Sequence, residues 1–144
     1  MAEGVLTEVK LALPMVPEME LEASKTAAAI AASIRMSPDR IDEVRLAVVE
    51  ACINALEHSQ ASDREVFVTF QVVGAGDPEK LRISVHDNGV GFSAEGREEP
   101  TMESKLKAVR KRGWGLKIIQ GLMDEVEIRS GAEGTTVVMS KMLR

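Results

Sequence analysis

Three short stretches carry residue types from which a site could be built. The first, "VHDNGVGF" from Val85 to Phe92, sets Asp87 directly after an apolar run and Gly89 and Gly91 directly after the acid. Asp, Asn and Gly are also the usual turn formers, so "DNG" alone reads equally as a turn. The second lies in "EACINALEH", where Glu50 and Asn54 stand four residues apart and are therefore stacked neighbours on one face of a helix. With Glu43, Glu57 and, at its edge, His58, they also make the ordinary solvated face of an amphipathic helix. The third is "KAVRKRGWGLKIIQ", which brings Lys107, Arg110, Lys111 and Arg112 up to Gly113 and Gly115 at the start of an apolar segment. Glycine backbone, a helix N-terminus and cations together suit a phosphate, and a basic run before a helix is also plain solvated surface.

Two familiar nucleotide motifs are excluded. "GVGFSA" satisfies the permissive dinucleotide-binding glycine pattern and follows a strand, but that fingerprint needs a helix to open at the glycines. Here "SAEGREEPTMES" follows, with acids, a glycine and a proline in place of a helix N-terminus. No G-x-x-x-x-G-K-[ST] is present, which excludes a P-loop.

The elements that must position these residues are separated by short turn signals. "VLTEVKLALPMV" alternates as a first strand ended by Pro14 and Pro17, and "EMELEASKTAAAIAASIRM" reads as an alanine-rich helix closing at Met36. Ser37 is a good N-cap with Pro38 at the first helical position and Asp39, Asp42 and Glu43 near the positive end of the helix dipole. A second helix therefore runs to about His58, with Ile41, Val44, Val48, Cys52, Ala55 and Leu56 on its core side. "EVFVTFQVV" and "KLRISVHD" form one hairpin across "GAGDP"; "GLKIIQGLM" is a short helix; "EVEIRS" and "TTVVMSKML" form a second hairpin across "GAEG". The order β, α, α, β, β, loop, α, β, β fits a mostly antiparallel sheet with helices on one face, an α/β sandwich of the α+β class.

Composition sets the outer bounds. With 144 residues and 44% apolar content the chain is long enough for one core, and a single domain over 1–144 is expected. A formal charge of −5 argues against direct nucleic-acid binding, and the absence of tyrosine removes stacking platforms for bases. No apolar run approaches membrane-spanning length and the N-terminus "MAEGVLTEVK" is acidic and mixed, so no membrane contact and a cytoplasmic location are expected. The single cysteine, Cys52, reads as a buried structural residue.

Taken jointly, the stretches resemble the adenine-nucleotide site of the GHKL ATPase superfamily, which includes DNA gyrase, histidine kinases and anti-sigma-factor serine kinases. "EACINALEH" is similar to that family's N box, "DNGVG" to its first glycine box, "RGWGL" to its second, and "GTT" at Gly134 to Thr136 to its final strand motif. "LMDEVEI" and the small size resemble most the anti-sigma factor serine kinase branch. The resemblance implies a Bergerat ATP-binding fold with ATP and Mg²⁺ as cofactors. Asp87 would accept a hydrogen bond from the adenine amino group, which selects adenine over guanine because the corresponding guanine group is a carbonyl oxygen that cannot donate.

The same resemblance gives the other motif residues their roles. Gly89 and Gly91 would let the backbone pass close to the base, and Thr135 would share a bridging water with Asp87. Asn54 would ligate Mg²⁺, and Glu50 would be the general base. Lys111, Arg112, Gly113, Gly115 and Leu116 would belong to the phosphate end, under a lid over about residues 93–112. The lid text "EEPTMESK" lacks the phenylalanine-threonine-threonine-lysine pattern common in the branch, and Lys111 stands where an arginine is frequent, offering charge without a bidentate fork. The implied function is an ATP- and Mg²⁺-dependent protein serine kinase that also sequesters a sigma factor, its substrate a STAS-domain anti-anti-sigma factor, with a homodimer admitted. The alternative is an ATP-binding regulatory module that binds partners without phosphoryl transfer.

Overall fold

The computed structural model describes residues 4–58, 65–88, 116–131 and 134–144. Along the chain these form β1 (Gly4–Pro14), α1 (Met19–Ser33), α2 (Pro38–His58), β2 (Glu65–Gly74), β3 (Lys80–Asp87), α3 (116–122), β4 (Glu125–Gly131) and β5 (Gly134–Met142). The strands make one five-stranded sheet in the order β1-β2-β3-β5-β4, with every neighbouring pair antiparallel. This is the architecture that the order of sequence patterns implies, and β5, the last strand, enters between β3 and β4.

The two faces of the sheet follow from the period of two in its strands. Val66, Val68, Phe70 and Val72 of β2 and Leu81, Ile83 and Val85 of β3 are buried, while Thr69, Gln71, Arg82 and Ser84 alternate onto the other face. The buried rows share one core cluster with Ala23, Ala27 and Ala31 of α1, Val44, Val48 and Ala51 of α2, and Ile119 of α3. All three helices therefore cover the same face. The buried stripe of α1 is built mainly of alanines, Ala23, Ala27 and Ala31, whose small side chains suit a close approach of neighbouring helices.

Helix ends are set by local chemistry. Ser37 caps α2 as its type predicts, its Oγ accepting from the Arg40 N–H at 3.3 Å. The sequence reading carries α1 to Met36, but the helix stops at Ser33. Arg35 adopts a left-handed φ of 62°, its N–H donating to the Ala32 carbonyl and the Met36 N–H to the Ala31 carbonyl, at 3.0 and 3.1 Å. This is a Schellman stop without glycine, and it turns Met36 into the core, where it is buried.

At the end of the sheet near Met142, a buried lysine ties three elements together. Lys141 of β5 donates to the Leu122 carbonyl at the end of α3 and lies 3.4 Å from Glu43 Oε1 of α2. A lysine is tolerated in such a place only with partners of this kind. The pairing anchors the C-terminal end of α3, the helix that begins at Leu116.

Candidate active site

The site forms where an apolar row ends in an acid. Along β3 the inward positions are Leu81, Ile83, Val85 and then Asp87, which is 6% exposed. The antiparallel register sets Asp87 directly opposite Thr135 of β5, and Val85 opposite Val137. Above them passes α2 with Ala51, Asn54 and Ala55. The two alanines are too small to fill the space down to the strands, and the hollow left between them has a volume of about 20 Å³. Val85 and Val137 wall it, and Asn54, Asp87 and Thr135 supply its polar groups. The volume matches one water molecule, which needs two to four polar partners of the type present.

Asn54, Asp87 and Thr135, dispersed in sequence, are thus brought together. Glu50 stands one helical turn before Asn54, half-buried, and does not line the hollow. Leu116 is half-buried at the start of α3. Gly89, Gly91, Lys111, Arg112, Gly113 and Gly115 lie outside the described residues, as does the lid expected over 93–112. The assignment of Asn54 to a solvated helix face is corrected: it is buried at 9% exposure, whereas Glu57, three residues on, is exposed. The buried stripe of α2 is wider than its large apolar residues suggest, since Ala47 and Ala51 extend it toward Asn54.

Other residues of the site carry weaker signals. Ser130 Oγ lies 3.2 Å from Thr135 Oγ1, a contact that follows from the pairing of these two residues between β4 and β5. Gly134, with φ 117°, passes so close to β3 that a Cβ there would stand 1.9 Å from the Asp87 carbonyl oxygen and 3.0 Å from the Asn88 Cα. No side chain fits, which gives the glycine of "GTT" a physical reason. Cys52 of α2, which does not line the hollow, is fully buried as its sequence context implies. Burial, aided by the charge of Glu20, pushes its thiol up to about 12, so it carries no nucleophilic role.

Comparison with known proteins places the chain in a family. Residues 14–141 match the family described as histidine kinase-like ATPase domain. The serine-protein kinase RsbW of Bacillus pumilus is 31% identical over 143 residues, covering 94% of this chain and 85% of the relative. RsbW of Listeria monocytogenes is 29% identical over 140 residues, covering 94% and 87%. Among solved structures, the RsbU and RsbW domains of a Mycobacterium tuberculosis protein align with TM-score 0.67 at 23% identity, over 94% of this chain but only 32% of that longer one. A histidine kinase domain from Erythrobacter litoralis, a blue-light activated kinase, aligns with TM-score 0.53 at 18% identity, over 90% of this chain and 61% of that one. These two show likeness of fold. The chain belongs to the histidine kinase-like ATPase domain family and, within it, to the serine-protein kinase branch, which makes it an ATP-dependent protein kinase. Among the described residues, no helix is long and apolar enough to cross a membrane.

Proposed function

We propose that the chain, acting as a single cytoplasmic domain, transfers the γ-phosphoryl group of ATP to a serine of a STAS-type anti-anti-sigma partner and also sequesters a sigma factor. The observation that carries the ATP site is the buried carboxylate of Asp87, set at the end of an apolar row, opposite Thr135 and beside Asn54. A carboxylate there accepts from an exocyclic amino group and repels a carbonyl, which is a filter for adenine. The hollow is water-sized, so the base would stand at its mouth while Asp87 and Thr135 share a water inside.

Asn54 offers a hard amide oxygen one side of that hollow, a donor that fits Mg²⁺, an ion that keeps most of its ligands as waters and phosphate oxygens. When bound, Mg²⁺ would neutralise the charge of the triphosphate. Glu50, half-buried one turn earlier, would take the serine proton as the serine oxygen bonds the γ-phosphorus and the bond to the bridging oxygen breaks. Gly89 and Gly91 would line the base, and Lys111, Arg112, Gly113, Gly115 and Leu116 the phosphates, as the family resemblance assigns them.

Calorimetric titration tests the pocket. MgATP should bind and MgGTP should bind at least tenfold more weakly, the discrimination expected when a buried acceptor faces an acceptor. Equal affinities for the two nucleotides would contradict the role given to Asp87.

A further inference from the structure

We propose that His86 is a positioning residue for the nucleotide loop: from the outer face of the sheet its imidazole links Asn88 to Thr136 and so fixes the direction in which the chain leaves β3. The inference rests on the reading of the Asp87 hollow as an ATP site and adds a residue to it that lies on the opposite side of the sheet.

The geometry follows from strand alternation. Neighbours on a strand point to opposite faces, so Asp87 and Thr135 face the helices while His86 and Thr136 face away, and the register pairs both couples across the same two strands. His86 Nδ1 is 2.6 Å from Thr136 Oγ1, and His86 Nε2 is 2.7 Å from Asn88 Oδ1. A neutral imidazole has one donor and one acceptor. With the Asn88 carbonyl oxygen accepting, Nε2 carries the proton and Nδ1 accepts from the Thr136 hydroxyl, so the links run in one direction from β5 through His86 to Asn88.

Asn88 is where such a link matters. The β3 to β5 ladder ends at the pair Asp87 and Thr135, and Asn88 is an exposed residue just beyond it, ahead of Gly89. Packing alone does not hold an exposed residue at a strand exit. On one side the backbone of Asp87 and Asn88 packs against Gly134 so closely that a Cβ there would stand 1.9 Å from the Asp87 carbonyl oxygen and 3.0 Å from the Asn88 Cα. On the other, the histidine holds the Asn88 side chain to the sheet. Between them, the two contacts orient the peptide that joins the adenine-recognising acid to the glycine loop. Since Asp87 is the residue before Asn88, a loosened exit reaches the base contact first.

The test is calorimetric ATP affinity, with thermal melting, for the parent, His86→Ala, His86→Gln, Asn88→Ala and the double alanine variant. His86→Ala is expected to raise the ATP Kd about five- to tenfold, equivalent to about 1–1.4 kcal/mol. His86→Gln, whose amide can donate to Asn88 and accept from Thr136, should recover most of that loss. Asn88→Ala should match His86→Ala, and the double variant should be no worse than either, because each removes the same link. A folded His86→Ala protein with parental ATP Kd overturns the inference, as does a double variant whose losses add. Should His86→Ala not fold, Asn88→Ala decides: a raised Kd supports the link and a parental Kd overturns it. A parent that binds no ATP overturns the pocket reading itself, whereas a binding parent matched by its variants overturns only the role of His86.

Discussion

Replacing Gly134 by alanine tests how tightly the β3 exit and the start of β5 are fitted to each other. The added Cβ would stand 1.9 Å from the Asp87 carbonyl oxygen and 3.0 Å from the Asn88 Cα, both backbone groups that cannot swing aside as a side-chain tip would. The residue also sits at φ 117°, a region that side-chain-bearing residues rarely adopt. Backbone strain of this kind costs about 1–3 kcal/mol, and forcing a methyl into an occupied space about 1–3 kcal/mol more. At roughly 3 °C per kcal/mol for a chain of this size, the melting temperature should fall by about 6–18 °C. Gly121 in α3 serves as the control, since a Cβ there meets nothing within 4 Å and its φ is not positive. Gly121→Ala should be neutral or raise the melting temperature, in line with the helix preference of alanine over glycine. The atoms that must move in Gly134→Ala belong to the residues flanking the base contact, so ATP affinity should fall with stability. A Gly134→Ala protein that melts within a degree of the parent and binds ATP equally would refute this account of the strand exit.

Other outcomes follow from the same geometry. Asp87→Asn keeps size but turns a donor toward the adenine amine, so the ATP Kd measured by calorimetry should rise by the equivalent of about 1–3 kcal/mol; an unchanged Kd in a folded protein would remove Asp87 from the site. Glu50→Gln should leave ATP binding intact and slow transfer by about 10²- to 10⁴-fold, whereas Asn54→Ala should weaken Mg²⁺-dependent ATP binding as well as transfer; identical profiles for the two variants would deny the separate roles. Cys52 should resist iodoacetamide in the folded protein at pH 8 and react once denatured. The pH dependence of its contribution has a definite sign: the folded thiol stays protonated to about 12, while in the unfolded chain it ionises near its ordinary value of about 8.5. The stability it contributes is whole below that lower value and is lost as the pH rises toward the upper one, which a Cys52→Ala comparison of melting temperatures at pH 7 and 10 would show.

Much of the fold is readable from residues whose physics is local. The strands announce themselves because Val66, Val68 and Phe70 alternate with polar neighbours, and α2 begins where Ser37 and Pro38 say it must. The end of α1 is hidden because Arg35, with no glycine to mark it, takes a left-handed conformation that the two closing hydrogen bonds and the burial of Met36 reward. The burial of Asn54 is hidden for a different reason. A helical wheel sorts large apolar from polar side chains, and although it puts Ala55 on the core side it gives Ala51 no weight, while both alanines line the hollow beside Asn54. The meeting of Asp87 with Thr135 depends on β5 entering the sheet beside β3, a long-range pairing that spacing alone does not carry and that family resemblance supplied. His86 reads in sequence as an outward polar residue of an alternating strand; its link to Asn88 depends on that same pairing.

Phosphoryl transfer is the central claim, and incubation of the protein with γ-labelled ATP, Mg²⁺ and a STAS-domain protein from the same organism tests it most directly. Label should appear on a serine of the STAS protein with the parent and fall by about 10²- to 10⁴-fold with Glu50→Gln, as expected for loss of the base. Transfer that proceeds equally fast with Glu50→Gln, or no label on any STAS protein while ATP still strengthens sigma-factor binding, would contradict it.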